Sequence, residues 1–425
     1  MKKFPLFLIV FGLTLASAAQ KTITLQPTVA PGVSTERLNR IDYLLQDYVN
    51  KQWIGGATAI VVQKGKTIYH KSFGYKDLDK KTPLTNDAIY RIASQTKAIT
   101  STAIMILYEE GKILLDDPLS KYIPEYKNPK VLDTYNEKDT TYTTVPAKRE
   151  ITIRDLLTHT SGIGYAQIGN ARMNAIYYKA DVWDGIGVGK IVLADKMKLI
   201  ATLPLFHQPG EQWTYGLNTD LLGYLVEVVS GMNLDQFFRQ KIFDPLEMKD
   251  TYFYLPASKK SRLIPLVSED KDGKAIKAPA TLNINGTFYS DYPNTNGTYF
   301  SGGGGLSSTA YDYAIFMQML LNNGIYNGKR ILSKASVRMM TSNQIGQLSF
   351  RNGNNFGLGF EIVTEEGSAK IPLSMGTFSW GGMFSSTYWI DPKEKIVAQL
   401  FINQYPNTHG EIQNKFKMAV YQAIE

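Results

Sequence analysis

The sequence contains no cysteine among its 425 residues. This absence excludes disulfide bonds, thiol catalysis, cysteine zinc sites and a lipid-modified N-terminal cysteine. The fold must therefore depend on its hydrophobic core, and a chain of this length can bury a large one. Histidine is scarce as well, and no two of the four have the spacing of a zinc-binding pair, so we expect no metal site.

Long apolar runs without charge are also missing. The run from Phe4 to Ala16 is shorter than the roughly 20 residues that a bilayer-spanning helix needs. Lys2 and Lys3 precede it and small residues follow it, which is typical of a signal peptide. We expect residues 1–19 to be such a signal peptide, which predicts a periplasmic or secreted protein without stable membrane insertion.

A dense basic tract is absent. The net charge is +8, but Lys and Arg are scattered among Asp and Glu along the whole chain. We therefore expect no nucleic-acid partner. With 44% hydrophobic and 20% charged residues, the composition is that of a globular protein.

Strand patterns occur near both ends of the chain, and helices and long loops fill the middle. After a Pro/Gly linker at residues 20–33, a helix is predicted from Ser34 onward, followed by a hairpin that turns at Gly65. We expect one α+β domain over residues 34–425. Its sheet part would comprise about 34–93 and 293–425, and its helical part about 94–292.

Two polar segments in the middle are predicted to be loops. Residues 135–150 read as an insertion without a core face, and residues 268–278 read as a charged surface loop.

The pattern Ser-x-x-Lys occurs twice. Residues three apart share one face of a helix, so a lysine there can reach the serine hydroxyl. Serine is a weak nucleophile until a base takes its proton, and lysine can be that base where burial and nearby positive charge favour its neutral form. Ser94 and Lys97 open an apolar helical run, whereas Ser268 and Lys271 lie in the charged loop. We predict Ser94 as the nucleophile.

Other chemistries have weaker support. The chain contains no Gly-x-Ser-x-Gly, which is the main signal of the nucleophile-elbow hydrolases. His159 follows a helical stretch at a turn, and we interpret it as a structural hydrogen-bonding residue. The four glycines at 302–305 lack the Gly-Lys-Ser/Thr of a phosphate loop, so no nucleotide is indicated.

The chain resembles the serine β-lactamase-like hydrolases, which include class C β-lactamases, D-amino-acid-specific peptidases and family VIII carboxylesterases. The resemblance extends from about residue 36 to 422 and implies a β-lactamase/transpeptidase-like α+β fold, with an antiparallel sheet built from both terminal segments and flanked by helices. It rests on seven segments in order: "RIASQTKAIT", "GKILLDDPLSKYIPEY", "ITIRDLLTHTSGI", "PGEQWTYGLNTDLLGYLVEVVSG", "DPLEMKDT", "SGGGGLSSTAYDYAIFMQMLL" and "WGGMFSSTYWIDP".

The resemblance implies roles for the first two motifs. Ser94 matches the family's nucleophile, Lys97 its base, and Tyr215 the tyrosine that shares proton transfer with the lysine. Leu217 stands where the family's Tyr-x-Asn motif has asparagine, which disfavours β-lactam recognition. Asn218 follows one residue later, and we expect it to contact substrate instead.

The third motif departs further from the β-lactamases. Trp380, Gly381 and Gly382 replace the usual Lys-Thr-Gly, as in family VIII esterases. Tryptophan offers an apolar face and one N–H donor but no charge for a carboxylate, and the glycines allow close approach of substrate. By analogy, the N–H groups of Ser94 and Met383 would form the oxyanion hole.

These observations predict an exported, cofactor-free serine hydrolase that forms an acyl-enzyme on Ser94. Its partner would be a small-molecule substrate, most simply a small acyl ester. A β-lactamase, or a D-amino-acid or cell-wall peptidase that contacts cell-wall peptides and cleaves an amide, remains an alternative. A catalytically silent sensor or binding module is another, and the sequence does not indicate an oligomeric state.

Overall fold

The computed structural model describes residues 23–28, 30–182, 186, 191–284 and 287–425. The predicted signal peptide lies outside these residues. Helices in the described part of the chain are too short or too polar to cross a bilayer.

The α-helices of the described residues surround a central sheet. They are α1 Thr35–Asn50, α2 Thr96–Glu109, α3 Ile153–Leu157, α4 Ala171–Lys179, α5 Leu193–Ala201, α6 Asn218–Ser230, α7 Leu234–Phe238, α8 Asp244–Leu246, α9 Ala257–Lys260, α10 Ala310–Leu321, α11 Lys334–Met340, α12 Glu365–Ser368 and α13 Ile412–Tyr421.

The strands form one large sheet and several short pairs. They are β1 Gly56–Gln63, β2 Lys66–Asp77, β3 Thr82–Pro83, β4 Tyr90–Arg91, β5 Lys130–Tyr135, β6 Tyr142–Pro146, β7 Val267–Glu269, β8 Ala275–Lys277, β9 Thr281–Asn283, β10 Thr287–Tyr289, β11 Ser307–Ser308, β12 Ile325–Tyr326, β13 Lys329–Arg330, β14 Asn355–Phe356, β15 Glu361–Ile362, β16 Phe378–Gly382, β17 Ser386–Asp391 and β18 Ile396–Phe401.

The large sheet has the strand order β14-β15-β16-β17-β18-β1-β2-β3, and each neighbouring pair is antiparallel. N-terminal strand β1 pairs directly with C-terminal strand β18. This confirms the predicted α+β fold with an antiparallel sheet that both terminal segments build.

Both faces of the sheet are covered, because alternate side chains of a strand point to opposite faces. Ile60 and Val62 of β1 join the core that contains α2 and α10, whereas Ala59 and Val61 join the core of α1 and α13. The sheet is therefore the middle layer of three.

Helix α1 begins at Thr35, directly after Ser34. The Ser34 side chain accepts a hydrogen bond from the Arg37 N–H, which satisfies one of the unpaired donors at the helix start. The apolar stripe of α1 is buried, including Ile41 and Leu45. The spacing of its apolar residues and the Ser34 cap together explain why this helix forms here.

The two polar segments predicted to be loops contain β-hairpins, so the prediction of loops was wrong. Strands β5 and β6 pair over residues 130–146, and β7 pairs with β8 over 267–277. Each hairpin is anchored by a buried valine, Val131 or Val267. Threonine, tyrosine and valine favour strands, and in residues 135–150 this propensity outweighed the charge of the segment.

Candidate active site

Ser94 is presented on a strained turn between a short strand and α2. Residues Ala93–Gln95 form one 3₁₀ turn, and Ala93 has a φ of 44°, a left-handed conformation that costs energy for a residue with a Cβ. Every residue from Ala88 to Leu107 is buried except Ser94. The turn therefore exposes this one hydroxyl in an otherwise buried stretch.

Lys97 lies directly behind the serine. It is 2% exposed, and its Nζ donates to Ser94 Oγ at 3.2 Å, to the Tyr165 hydroxyl at 2.9 Å and to the Gly303 carbonyl at 2.7 Å. Three acceptors thus surround the Lys97 Nζ atom. The lysine is thus held in one orientation against Ser94.

Tyr215 contacts Ser94 from the other side. Its hydroxyl donates to Ser94 Oγ at 2.8 Å and accepts from Trp380 Nε1 at 3.3 Å. Lys97 Nζ lies 4.7 Å from the centre of the Tyr215 ring, within the range of a cation–π contact. Three distant parts of the sequence are therefore joined here by hydrogen bonds: Lys97 and Tyr215 contact the Ser94 hydroxyl, and Trp380 contacts the Tyr215 hydroxyl.

A cleft of about 600 Å³ opens in front of Ser94. Tyr215, Trp380, Gly381, Gly382 and Met383 line it. A Cβ added at Gly382 would lie 2.4 Å from the Ile92 carbonyl oxygen, so only glycine lets β16 approach the serine turn this closely. The predicted strand residues and both residues of the predicted oxyanion hole share this cleft.

Asn218 does not lie in the cleft, which corrects the expectation that it binds substrate. It is fully buried at the first residue of α6. Its Nδ2 donates to His159 Nδ1 at 2.9 Å and to the Ile163 carbonyl at 3.4 Å, and its Oδ1 accepts from Ser161. One residue rotates a helix position by about 100°, so the shifted asparagine points inward and holds the loop of residues 159–163.

His159 packs behind Tyr215 as a neutral side chain. The two ring centres are 4.9 Å apart, and burial together with the nearby charge of Lys97 lowers the pKa of His159 well below its usual value. Its contact with Asn218 fits the structural role interpreted from the sequence. In the described residues, no group of three or more His, Asp or Glu side chains could hold a metal ion.

Two further residues that hold the lysine could not be assigned from the sequence. Tyr165 is 7% exposed and accepts a hydrogen bond from Lys97. No spacing marks it among 26 tyrosines. Gly303 belongs to the run of four glycines, which did mark a turn, but no pattern in that run indicates that its carbonyl accepts from Lys97.

Gly303 must be a glycine because of a buried carboxyl group. A Cβ there would lie 2.2 Å from Asp220 Oδ2. Burial raises the pKa of Asp220, and the Ser301 hydroxyl donates to its Oδ1 at 2.6 Å. This packing fixes the carbonyl that Lys97 contacts.

Fold and site together define a serine hydrolase of the β-lactamase-like class. The family model described as Beta-lactamase matches residues 41–422, and the chain belongs to this family.

Relatives with esterase names are among the proteins similar to this chain. Esterase EstB of Burkholderia gladioli is 26% identical over 407 residues, covering 94% of this chain and 98% of EstB. Protein Rv1367c of Mycobacterium tuberculosis (strain ATCC 25618 / H37Rv) is 32% identical over 370 residues, covering 83% of this chain and 87% of that protein. The solved structure described as "EstCE1, a hydrolase with promiscuous acyltransferase activity" has a TM-score of 0.78 at 25% identity, covering 91% and 99%.

Proposed function

We propose that the protein is a carboxylesterase that transfers a small acyl group to Ser94 and then to water. The observation that carries this proposal is the pair of contacts to Ser94 Oγ, from Lys97 Nζ and from the Tyr215 hydroxyl, beside the uncharged Trp380. The names of EstB and EstCE1 support an ester as the substrate.

In the proposed reaction, Ser94 Oγ attacks the ester carbonyl carbon. The serine proton passes to the Lys97–Tyr215 pair, and the oxyanion accepts hydrogen bonds from the N–H groups of Ser94 and Met383. Collapse of this intermediate breaks the bond to the alcohol, which leaves with the proton. Water then attacks the acyl-enzyme, and the carboxylic acid is released while Ser94 regains its proton.

A β-lactamase or a D-amino-acid peptidase has less support. Asn218 is turned away from the cleft, and Trp380 brings no cation where those enzymes use Lys-Thr-Gly. Turnover of nitrocefin against p-nitrophenyl butyrate compares the two activities directly. We expect efficient hydrolysis of the ester, and a higher kcat/KM for nitrocefin would overturn this preference.

A fluorophosphonate probe tests the nucleophile itself. Intact mass after incubation should show one adduct on the parent protein and none on Ser94→Ala. Ser268→Ala is the matched control, because Ser268 begins the second Ser-x-x-Lys pattern, and it should be labelled like the parent. Absence of an adduct on the parent would instead favour the silent binding module.

We also propose that the protein is exported, which is supported by Lys2, Lys3 and the apolar run that follows. Expression with a C-terminal tag, cell fractionation and N-terminal sequencing would test this. We expect a periplasmic or secreted product that begins at residue 19 or 20. A cytoplasmic product that retains Lys2 and Lys3 would contradict it.

A further inference from the structure

The cleft at Ser94 continues along an unpaired edge of the sheet. Strand β15 pairs only with Phe378 and Ser379 of β16, so Trp380, Gly381 and Gly382 have no neighbour on that side among the described residues. The same cavity extends past these residues to α12 and to α13. A substrate at Ser94 therefore has room to extend along this edge.

The cavity that holds Ser94 has both apolar and basic side chains in its lining. Its apolar and basic lining residues include Val363, Ile371, Leu373, Arg351, Lys370 and Lys417. The one acidic lining residue is Glu361. Cations therefore outnumber carboxylates in this cavity.

Two of the cations and the acidic residue are already engaged. Arg351 pairs with Glu361 and lies 4.6 Å from the centre of the Trp380 ring, and Lys370 pairs with Glu366 at 2.7 Å. The remaining Glu361 oxygen accepts from Asn354 Nδ2 at 2.6 Å. Both oxygens of Glu361 therefore already accept hydrogen bonds from other residues.

Lys417 is the cation that remains. It lies on the cleft-facing side of α13 with Gln413 and Asn414, and its Nζ contacts Asn414 Oδ1 at 3.5 Å. No ion pair joins it to a carboxylate in the described part of the chain. Burial lowers the pKa of Lys417, and the charge of Arg351 adds to this effect while Glu361 opposes it. A half-buried ammonium group without a counter-ion binds an anion favourably, because much of its hydration is already lost.

We propose that Lys417 determines specificity for esters whose acyl chain ends in a carboxylate, such as monoesters of dicarboxylic acids. The scissile carbonyl lies at Ser94, the methylene chain follows Val363 and Leu373, and the distal carboxylate binds Lys417. This inference rests on the proposed esterase function and adds the substrate class.

Matched methyl esters test the proposal, with acid release followed by pH-stat titration. Monomethyl adipate and suberate are compared with methyl hexanoate and octanoate, which have the same chain without the carboxylate. We expect the parent protein to favour one acidic ester over its neutral partner at least tenfold in kcat/KM. Lys417→Met should lower that value about tenfold, mainly through KM, and leave the neutral esters unchanged.

Two further variants separate charge from structure. Lys417→Arg should keep most of the preference, since it retains the cation on the same helix face. Lys395→Met removes an exposed lysine that does not line the cleft and should change neither series.

The outcomes distinguish the two proposals. Equal losses on acidic and neutral esters in Lys417→Met, or a parent protein without acid preference, would overturn the role of Lys417 and leave the esterase intact. No turnover of any ester, together with no adduct at Ser94, would overturn the proposed function itself.

Discussion

The pattern Ser-x-x-Lys occurs at two places in the chain. The two copies differ in their local structure and in the burial of their lysines. Ser94 and Lys97 lie at the start of α2, where the lysine is buried and its Nζ is 3.2 Å from the serine oxygen. Ser268 is a buried residue of strand β7, and Lys271 is exposed in the turn that follows. The same four-residue pattern therefore produces a site once and a hairpin once.

The difference follows from backbone geometry. On a helix, residues i and i+3 share a face. Strand β7 instead ends between Ser268 and Lys271, so these two residues lie on different elements. Burial adds the second requirement, because Lys97 is enclosed by Tyr165 and Gly303 while Lys271 is open to water. The Ser-x-x-Lys pattern thus forms a site only where helical geometry and burial of the lysine occur together.

Replacing the lysine of each pattern in turn should give the largest difference in activity between two variants. Lys97→Met is expected to lower kcat/KM for a p-nitrophenyl ester by about 10²–10⁴, the usual contribution of a positioned acid–base group. Lys271→Met should leave it unchanged. Steady-state kinetics measure the effect, with circular dichroism to show that both variants fold. Similar losses in both would contradict the distinction.

The packing around Lys97 can be disturbed without changing Lys97 itself. Gly303→Ala places a Cβ 2.2 Å from Asp220 Oδ2 in a buried site, so we expect a loss of about 1–3 kcal/mol in the free energy of unfolding, together with lower activity. Gly410→Ala is the control, since its nearest atom would be 3.8 Å away. Urea denaturation compares them. Equal stability of the two variants would show that Asp220 moves aside freely.

Loss of a single hydroxyl group that contacts Lys97 should have a smaller effect on activity. Tyr165→Phe removes one acceptor from Lys97, and a hydrogen bond to a charged group contributes about 1.5–3 kcal/mol. We expect kcat to fall about tenfold, with KM nearly constant. Tyr43→Phe alters a tyrosine that is 76% exposed and should have no effect. Parent-like kcat in Tyr165→Phe would remove Tyr165 from the site.

The buried His159 behind the site should also make the stability of the protein sensitive to acid. Burial lowers the pKa of His159 below 6.5, so the folded state keeps it neutral while the unfolded state takes up a proton. Its contribution to stability is complete above about pH 6.5 and is lost as the pH falls, by up to about 1.4 kcal/mol per pH unit.

Urea unfolding between pH 7.5 and pH 5 measures this slope. Burial also lowers the pKa values of His70 and His207, so the slope should be steeper than one histidine gives. His159→Asn should reduce it by about one proton. An unchanged slope in that variant would show that His159 does not take part in the titration.

Much of this comparison was visible in the sequence. The helix after Ser94 follows from its apolar spacing, and the resemblance indicated that Tyr215 and Trp380 would meet Ser94. The orientation of Asn218 could not be predicted, because it depends on which residue begins α6. Tyr165 could not be found either, since the loop that carries it has no periodicity and is placed only by tertiary contacts such as those of Asn218.

The pairing of β1 with β18 has a consequence for the order in which the enzyme becomes active. A nascent chain that has just passed α2 already contains Ser94 and Lys97, but Trp380 and the strands on either side of it are synthesised near the end. Contacts between residues this far apart in sequence form late, after the cost of closing a long loop has been met. An unfinished chain therefore contains Ser94 and Lys97 but no cleft, and the site is complete only after the last strands of the sheet have been made.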